Sequence, residues 1–195
     1  MTRGNPAGPL QVEARPPATH PPCCSLPSSA VAAPQAGTPA SPTGSTALAS
    51  REPASPEPDV TARLLDGTEF RLGQQPGRVV AIFTMTTGAC GACIPHTQAW
   101  AEVSARYRPQ DVVVLALAIS PLNTPEQVVA FRAMFGGNLA WALDPDGTVT
   151  RRLGLHYLNQ VVIFNREGQV AFQGCPPSDA DALQRLVAPL IASAP

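Results

Sequence analysis

From position 60 onward, apolar residues occur either in short unbroken runs or at intervals of three and four. Val79-Val80-Ala81-Ile82-Phe83 is continuous and rich in β-branched residues, and a second such run lies within Asp111–Ser120. Both have the pattern of strands buried on two faces. Val60–Leu65 and Thr68–Leu72 flank the pair Asp66-Gly67, which predicts a β-hairpin closed by a type I′ turn. Counting from Cys93, the positions His96, Trp100, Val103 and Tyr107 return every three or four residues. That stripe predicts an amphipathic helix starting near Gly91 or Ala92, with Pro95 in its first turn, where a missing amide hydrogen costs nothing.

Further on, Thr124 is placed to cap a helix with Pro125 at its first position and Gln127 completing a capping box; this helix is expected to run to about Phe135 and stop at Gly136-Gly137. Leu139–Leu143 reads as a short strand. Asp144-Pro145-Asp146-Gly147 is a turn into a short helix ending near Gly154, with both aspartates as turn and cap residues. Gln160–Asn165 and Gln169–Gln173 form a second hairpin, and Ser178 caps a last helix from Asp179 to about Ala192. Alternation of strand and helix in this order implies an α/β domain, a mixed sheet with helices on both faces.

Composition sets the domain boundary. Thirteen of the 23 prolines precede Val60, and that stretch has no Phe, Trp or Tyr. Such a segment buries too little apolar surface to offset its ordering entropy, so residues 1–58 are expected to be a disordered Pro/Ala/Ser-rich segment and 59–195 one folded domain. Cys23 and Cys24, within that segment, read as incidental thiols. With a net charge of −1 and no basic patch interleaved with aromatics, nucleic acid is not suggested as a partner. No apolar run approaches the ~20 residues of a membrane helix. Met1–Ser50 offers a proline-broken, alanine-rich run where a secretion signal would need an uninterrupted one, so by default the chain reads as cytoplasmic.

The chemistry concentrates in Cys90-Gly91-Ala92-Cys93, where a buried strand gives way to a helix N-terminus. Unpaired amide hydrogens and the helix dipole stabilise a thiolate there, and such settings lower a cysteine pKa from ~8.5 to roughly 3.5–7.5. Cys90 is expected to attack, and Cys93, within one turn, to resolve the mixed disulfide. Structural zinc is the competing use of this spacing, but no second pair of Cys or His at regular spacing accompanies it.

From Asp66-Gly67 through Gly77–Phe83 and the dithiol to Asp144, Gly154, Asn165 and Gly168, the chain resembles the TlpA and ResA branch of the thioredoxin superfamily, which overlaps the redoxin and peroxiredoxin group. The resemblance spans residues 60–192. It implies a thioredoxin-like fold with an N-terminal β-hairpin, Cys90 as exposed nucleophile, Cys93 as buried resolver, and protein thiols or disulfides and a redox partner as clients, usually outside the cytoplasm. Three positions depart from the branch. Ala89 stands where a Trp is common, leaving Cys90 more open. No proline stands at Asn159 or its neighbours, where counting back from Asn165 places the branch's cis-proline. No carboxylate lies between Val79 and Trp100 to accept a proton, so His96 is the candidate substitute, its alternative role being packing.

Cys175 follows Gly174, which matches the glycine ending the last strand in this fold, and is either a second resolver or an incidental small residue. His156 lies near the position of a metal-binding histidine in Sco-type copper chaperones. Three functions follow. The leading one is a thiol–disulfide oxidoreductase with no cofactor. The alternative is a copper(I) module built from Cys90, Cys93 and His156 or Cys175. A thiol peroxidase ranks last, because no Arg lies between Arg78 and Arg106 to flank Cys90.

Overall fold

The computed structural model describes residues 60–88, 90–119, 121 and 123–192; the expectations for residues 1–58, Cys23, Cys24 and Ala89 lie outside them. The element order is β1 (Thr61–Arg63), β2 (Glu69–Arg71), a 3-10 turn (Leu72–Gln74), β3 (Val79–Met85), α1 (Cys93–Arg106), β4 (Val112–Ala118), α2 (Pro125–Arg132), β5 (Leu139–Leu143), α3 (Thr148–Leu153), β6 (Val161–Phe164), β7 (Val170–Gly174) and α4 (Ala180–Ala192). β1 and β2 form a separate antiparallel hairpin. The other strands make one mixed sheet in the order β5-β4-β3-β6-β7.

All seven residues of β3 are buried. A strand with no polar face must lie inside the sheet, and β3 does, pairing in parallel with β4 and antiparallel with β6. The hairpin docks on the β5 edge through a bridge between Leu64 and Ala142 and a hydrogen bond from Leu65 N to Trp141 O of 2.9 Å. Its turn differs from the expected type I′. Gly67 has φ +86° whereas Asp66 does not adopt a positive φ, and Gly67 N donates to Leu64 O at 3.0 Å. A side chain explains the choice: Asp66 Oδ1 accepts from Thr68 N at 2.9 Å and from Thr68 Oγ1 at 2.6 Å, which holds Asp66 in the common half of the backbone map.

Two helix ends also moved. The capping box of α2 is complete, with Gln127 N donating to Thr124 Oγ1 at 3.3 Å and Thr124 N to Gln127 Oε1 at 2.9 Å, but the helix stops at Arg132 and not near Phe135. Past Arg132 the chain tightens into i+3 bonds, Met134 N donating to Phe131 O and Phe135 N to Arg132 O, each at 3.1 Å, and Phe131 and Phe135 both reach Trp141, with ring centroids 6.2 Å from it in each case. α4 is capped by Asp179, whose Oδ1 accepts from Ala182 N at 2.8 Å. Ser178, the expected cap, is turned toward α1 instead.

Gly137 closes the approach of this segment to α1. Its φ is +81°, and a Cβ there would strike the carbonyl of Ala101 and the hydroxyl of Ser104. Gly137→Ala is therefore expected to destabilise the domain by about 2–4 kcal/mol, combining left-handed strain with overpacking. Urea unfolding measures this, and a loss well below ~1 kcal/mol would contradict the packing described.

Candidate active site

Strand β3 runs out of the core through Thr86-Thr87-Gly88 to Cys90, and α1 begins three residues later. Cys90 N donates to Gly88 O at 2.7 Å and Cys93 N to Cys90 O at 3.0 Å, a tight turn that brings the two cysteines together. They are joined as a disulfide with a Cα–Cα distance of 5.4 Å. Cys93 is 0% exposed and Cys90 7%. Cys90 is far less open than the resemblance implied. From the loop between β4 and α2, Asn123 Oδ1 accepts from Thr87 N at 3.1 Å, Thr87 Oγ1 at 2.8 Å and Thr86 Oγ1 at 3.1 Å, holding the loop before Cys90. Asn123 carries no signal of its own in the sequence beyond standing directly before the α2 cap Thr124.

The loop before β6 reaches the same end of the sheet, because Phe83 of β3 pairs with Val161 at the start of β6. Thr84 holds it there. Gln160 N donates to Thr84 Oγ1 at 3.1 Å, and the backbone N–H of Asn159 donates to Thr84 O at 2.9 Å. Asn159, at the position where the resemblance implies a cis-proline, is buried and has φ +61°, a left-handed conformation that Asn tolerates better than most side chains. No cis peptide bond occurs among the described residues.

His96 is fully buried beside Phe83, with ring centroids 5.5 Å apart. Trp100 Nε1 donates to His96 Nε2 at 3.1 Å, which requires a lone pair there and so places the hydrogen on Nδ1, 3.1 Å from Ser178 Oγ. Burial pushes the imidazole down to about 4. Both ring nitrogens are thus engaged: Nδ1 joins α1 to the segment before α4, and Nε2 accepts within α1. A proton taken up at Nε2 would face the Trp100 N–H.

His156 is exposed in the loop after α3. Cys175 is exposed just beyond β7 and is itself disulfide-bonded, so it presents no free thiol in this state. Among the described residues, no three His, Cys, Asp or Glu side chains are gathered to hold a metal ion, and Cys90, Cys93 and His156 do not form such a set. Trp100 and Trp141 are core residues, and buried Asp144 caps α3 by accepting from Val149 N at 3.0 Å and Thr150 N at 2.8 Å. Among the described residues, four buried polar side-chain atoms have no hydrogen-bond partner: Thr97 Oγ1, Asn123 Nδ2, Asn159 Oδ1 and Arg166 Nε. The first three lie on segments that converge at the dithiol end of the sheet.

The family model described as Redoxin matches residues 52–186. Among solved structures, a putative thiol:disulfide interchange protein DsbE from Chlorobium tepidum superposes with a TM-score of 0.60 at 23% identity, covering 73% of this chain and 100% of that one. A secreted Mycobacterium tuberculosis disulfide oxidoreductase homologous to E. coli DsbE gives 0.59 at 20% identity, over 70% of this chain and 99% of that one. The MTB protein dsbF, in mixed oxidized and reduced forms, gives 0.62 at 19% identity over 71% and 99%. Curated protein sequences contain no match.

Burial of His96 makes stability depend on pH. The unfolded chain binds this proton near 6.5 and the folded chain only near 4, so the His96 contribution is complete above pH 6.5 and is lost as pH falls toward 4. At ~1.4 kcal/mol per pH unit the full loss is about 3 kcal/mol, of which about 2 kcal/mol is reached by about pH 5. Urea unfolding at about pH 7.5 and about pH 5 is expected to show this drop in the wild type and not in His96→Gln. Equal slopes in the two proteins would contradict the assignment.

Proposed function

The chain belongs to the redoxin family and is a thiol–disulfide oxidoreductase, and we propose that it exchanges disulfides with protein partners through Cys90 as the attacking sulfur and Cys93 as the resolver. The observation that carries the assignment is the bonded Cys90–Cys93 pair at the strand-to-helix junction, where only Cys90 has any exposed surface. In the reducing direction the Cys90 thiolate attacks a client disulfide, forming a mixed disulfide and releasing one client thiolate. Cys93, as thiolate, then attacks Cys90 Sγ, re-forming the internal disulfide and releasing the second client sulfur. The oxidising direction is the same path reversed.

No Asp, Glu, Lys or Arg lies between Val79 and Trp100, so no side-chain charge within that segment helps the Cys90 thiolate form. The amino end of α1 takes that part. Its first turn carries no acid, and Ala92 provides no side-chain cap to compete for the free amide hydrogens. Ile94 and Tyr157, 52% and 44% exposed, lie on the two segments that border the dithiol and offer apolar contact to a client chain.

Insulin reduction driven by dithiothreitol tests the roles. The wild type is expected to turn over; Cys90→Ser falls to background; Cys93→Ser still attacks but accumulates a mixed disulfide visible by mass. Turnover retained by Cys90→Ser would overturn the assignment.

A further inference from the structure

Two polar side chains stand one helical turn beyond the resolving cysteine. His96 and Thr97 occupy the third and fourth positions after Cys93 on α1, the spacings that share a helix face, with about 5–6 Å between Cβ atoms. All three side chains are fully buried. His96 is already committed to Trp100 and Ser178 through both ring nitrogens. Thr97 is not: its hydroxyl is buried with no partner, and it does not bond back to the Cys93 carbonyl one turn earlier, where threonine in a helix usually finds an acceptor.

A buried hydroxyl without a partner destabilises relative to an apolar group of the same shape, so its presence in the disulfide state calls for an acceptor elsewhere in the cycle. Cys93 supplies one. While the disulfide is intact, Cys93 Sγ is tied to Cys90; when it is cleaved, that sulfur is free to turn about its Cα–Cβ bond and carries negative charge inside the core. With no charged side chain between Val79 and Trp100 and with His96 engaged, the Thr97 hydroxyl is the uncommitted donor on that helix face.

We propose that the Thr97 hydroxyl donates a hydrogen bond to Cys93 Sγ when the disulfide opens, stabilising the resolving thiolate as it departs. The step balances without proton transfer to or from Thr97. An incoming thiolate forms a bond to Cys90 Sγ, the Cys90–Cys93 bond breaks, its electron pair leaves on Cys93 Sγ, and the hydroxyl hydrogen turns toward that charge. In the return step Cys93 gives the pair back in attacking the mixed disulfide. The inference deepens the exchange reading and rests on it.

The test is a cysteine 13Cβ titration of Cys93 in the Cys90→Ala background, which removes coupling between the two thiols. Thr97→Val, matched in shape, is expected to shift the Cys93 titration upward by about tenfold in proton affinity, near the lower edge of what a hydrogen bond to a charged group contributes. Thr97→Ser, which keeps the hydroxyl, is expected to leave it near the parent value, and Thr97→Ala to rise as Val does. In the chain with both cysteines, Thr97→Val is expected to slow disulfide opening by dithiothreitol by about tenfold. An unchanged Cys93 titration in the Val and Ala variants, or an equal rise in Ser, would overturn the proposal. That titration needs no client, so a failed insulin assay with the expected shift rejects the exchange reading alone, whereas normal turnover with no shift rejects the hydrogen bond alone.

Discussion

The arrangement depends on the complete burial of β3. Seven consecutive inward and outward side chains, Val79 to Met85, have no face that water can wet, so the strand is confined to the middle of the sheet between β4 and β6. Each fully buried aliphatic or aromatic side chain contributes roughly 1.5–3 kcal/mol, which makes the centre costly to rearrange. Once β3 is central, its carboxyl end is fixed relative to the end of β4 and the start of β6. Cys90 emerges just beyond that point, so the dithiol sits at the end of the central strand.

Around that end the protein uses uncharged groups. Asn123 fastens the Thr86–Thr87 loop, Thr84 fastens Asn159 and Gln160, and His96 with Trp100 and Ser178 fastens α1. These bonds position the cysteines without adding formal charge, leaving thiolate stability to the helix amino end and to local hydroxyls. Asn123 and Asn159, together with Thr97 on α1, each keep one buried atom unpaired. Buried polar groups in a settled core are normally paired, so their gathering at this end associates the imbalance with the working site and not with the scaffold.

Element types and order were legible in the sequence because the signals were local: unbroken apolar runs for β3 and β4, the Cys93–Tyr107 stripe for α1, the Thr124–Gln127 box for α2. The dithiol was legible from spacing together with its place between strand and helix. What escaped depends on partners far apart in the chain. Ser178 looks like a helix cap until His96, 82 positions away, is seen to bond it and Asp179 to replace it. Asn123 looks like a loop residue until Thr87, 36 positions away, is seen to donate to it. Asp66-Gly67 suggested a type I′ turn because the dipeptide favours it, and the Thr68 hydroxyl decided otherwise. The distribution of burial between Cys90 and Cys93 likewise follows from packing that no spacing encodes.

The central claim is that Cys90 and Cys93 act as one reversible two-electron couple. Equilibrating the full chain in glutathione buffers of stepped composition, quenching with acid, alkylating and mapping cysteine peptides by mass reads that couple directly. The account predicts a single transition in which Cys90 and Cys93 lose and regain alkylation together, with the oxidised form carrying the Cys90–Cys93 linkage. Independent oxidation of the two cysteines, each ending as a separate glutathione adduct, would contradict it.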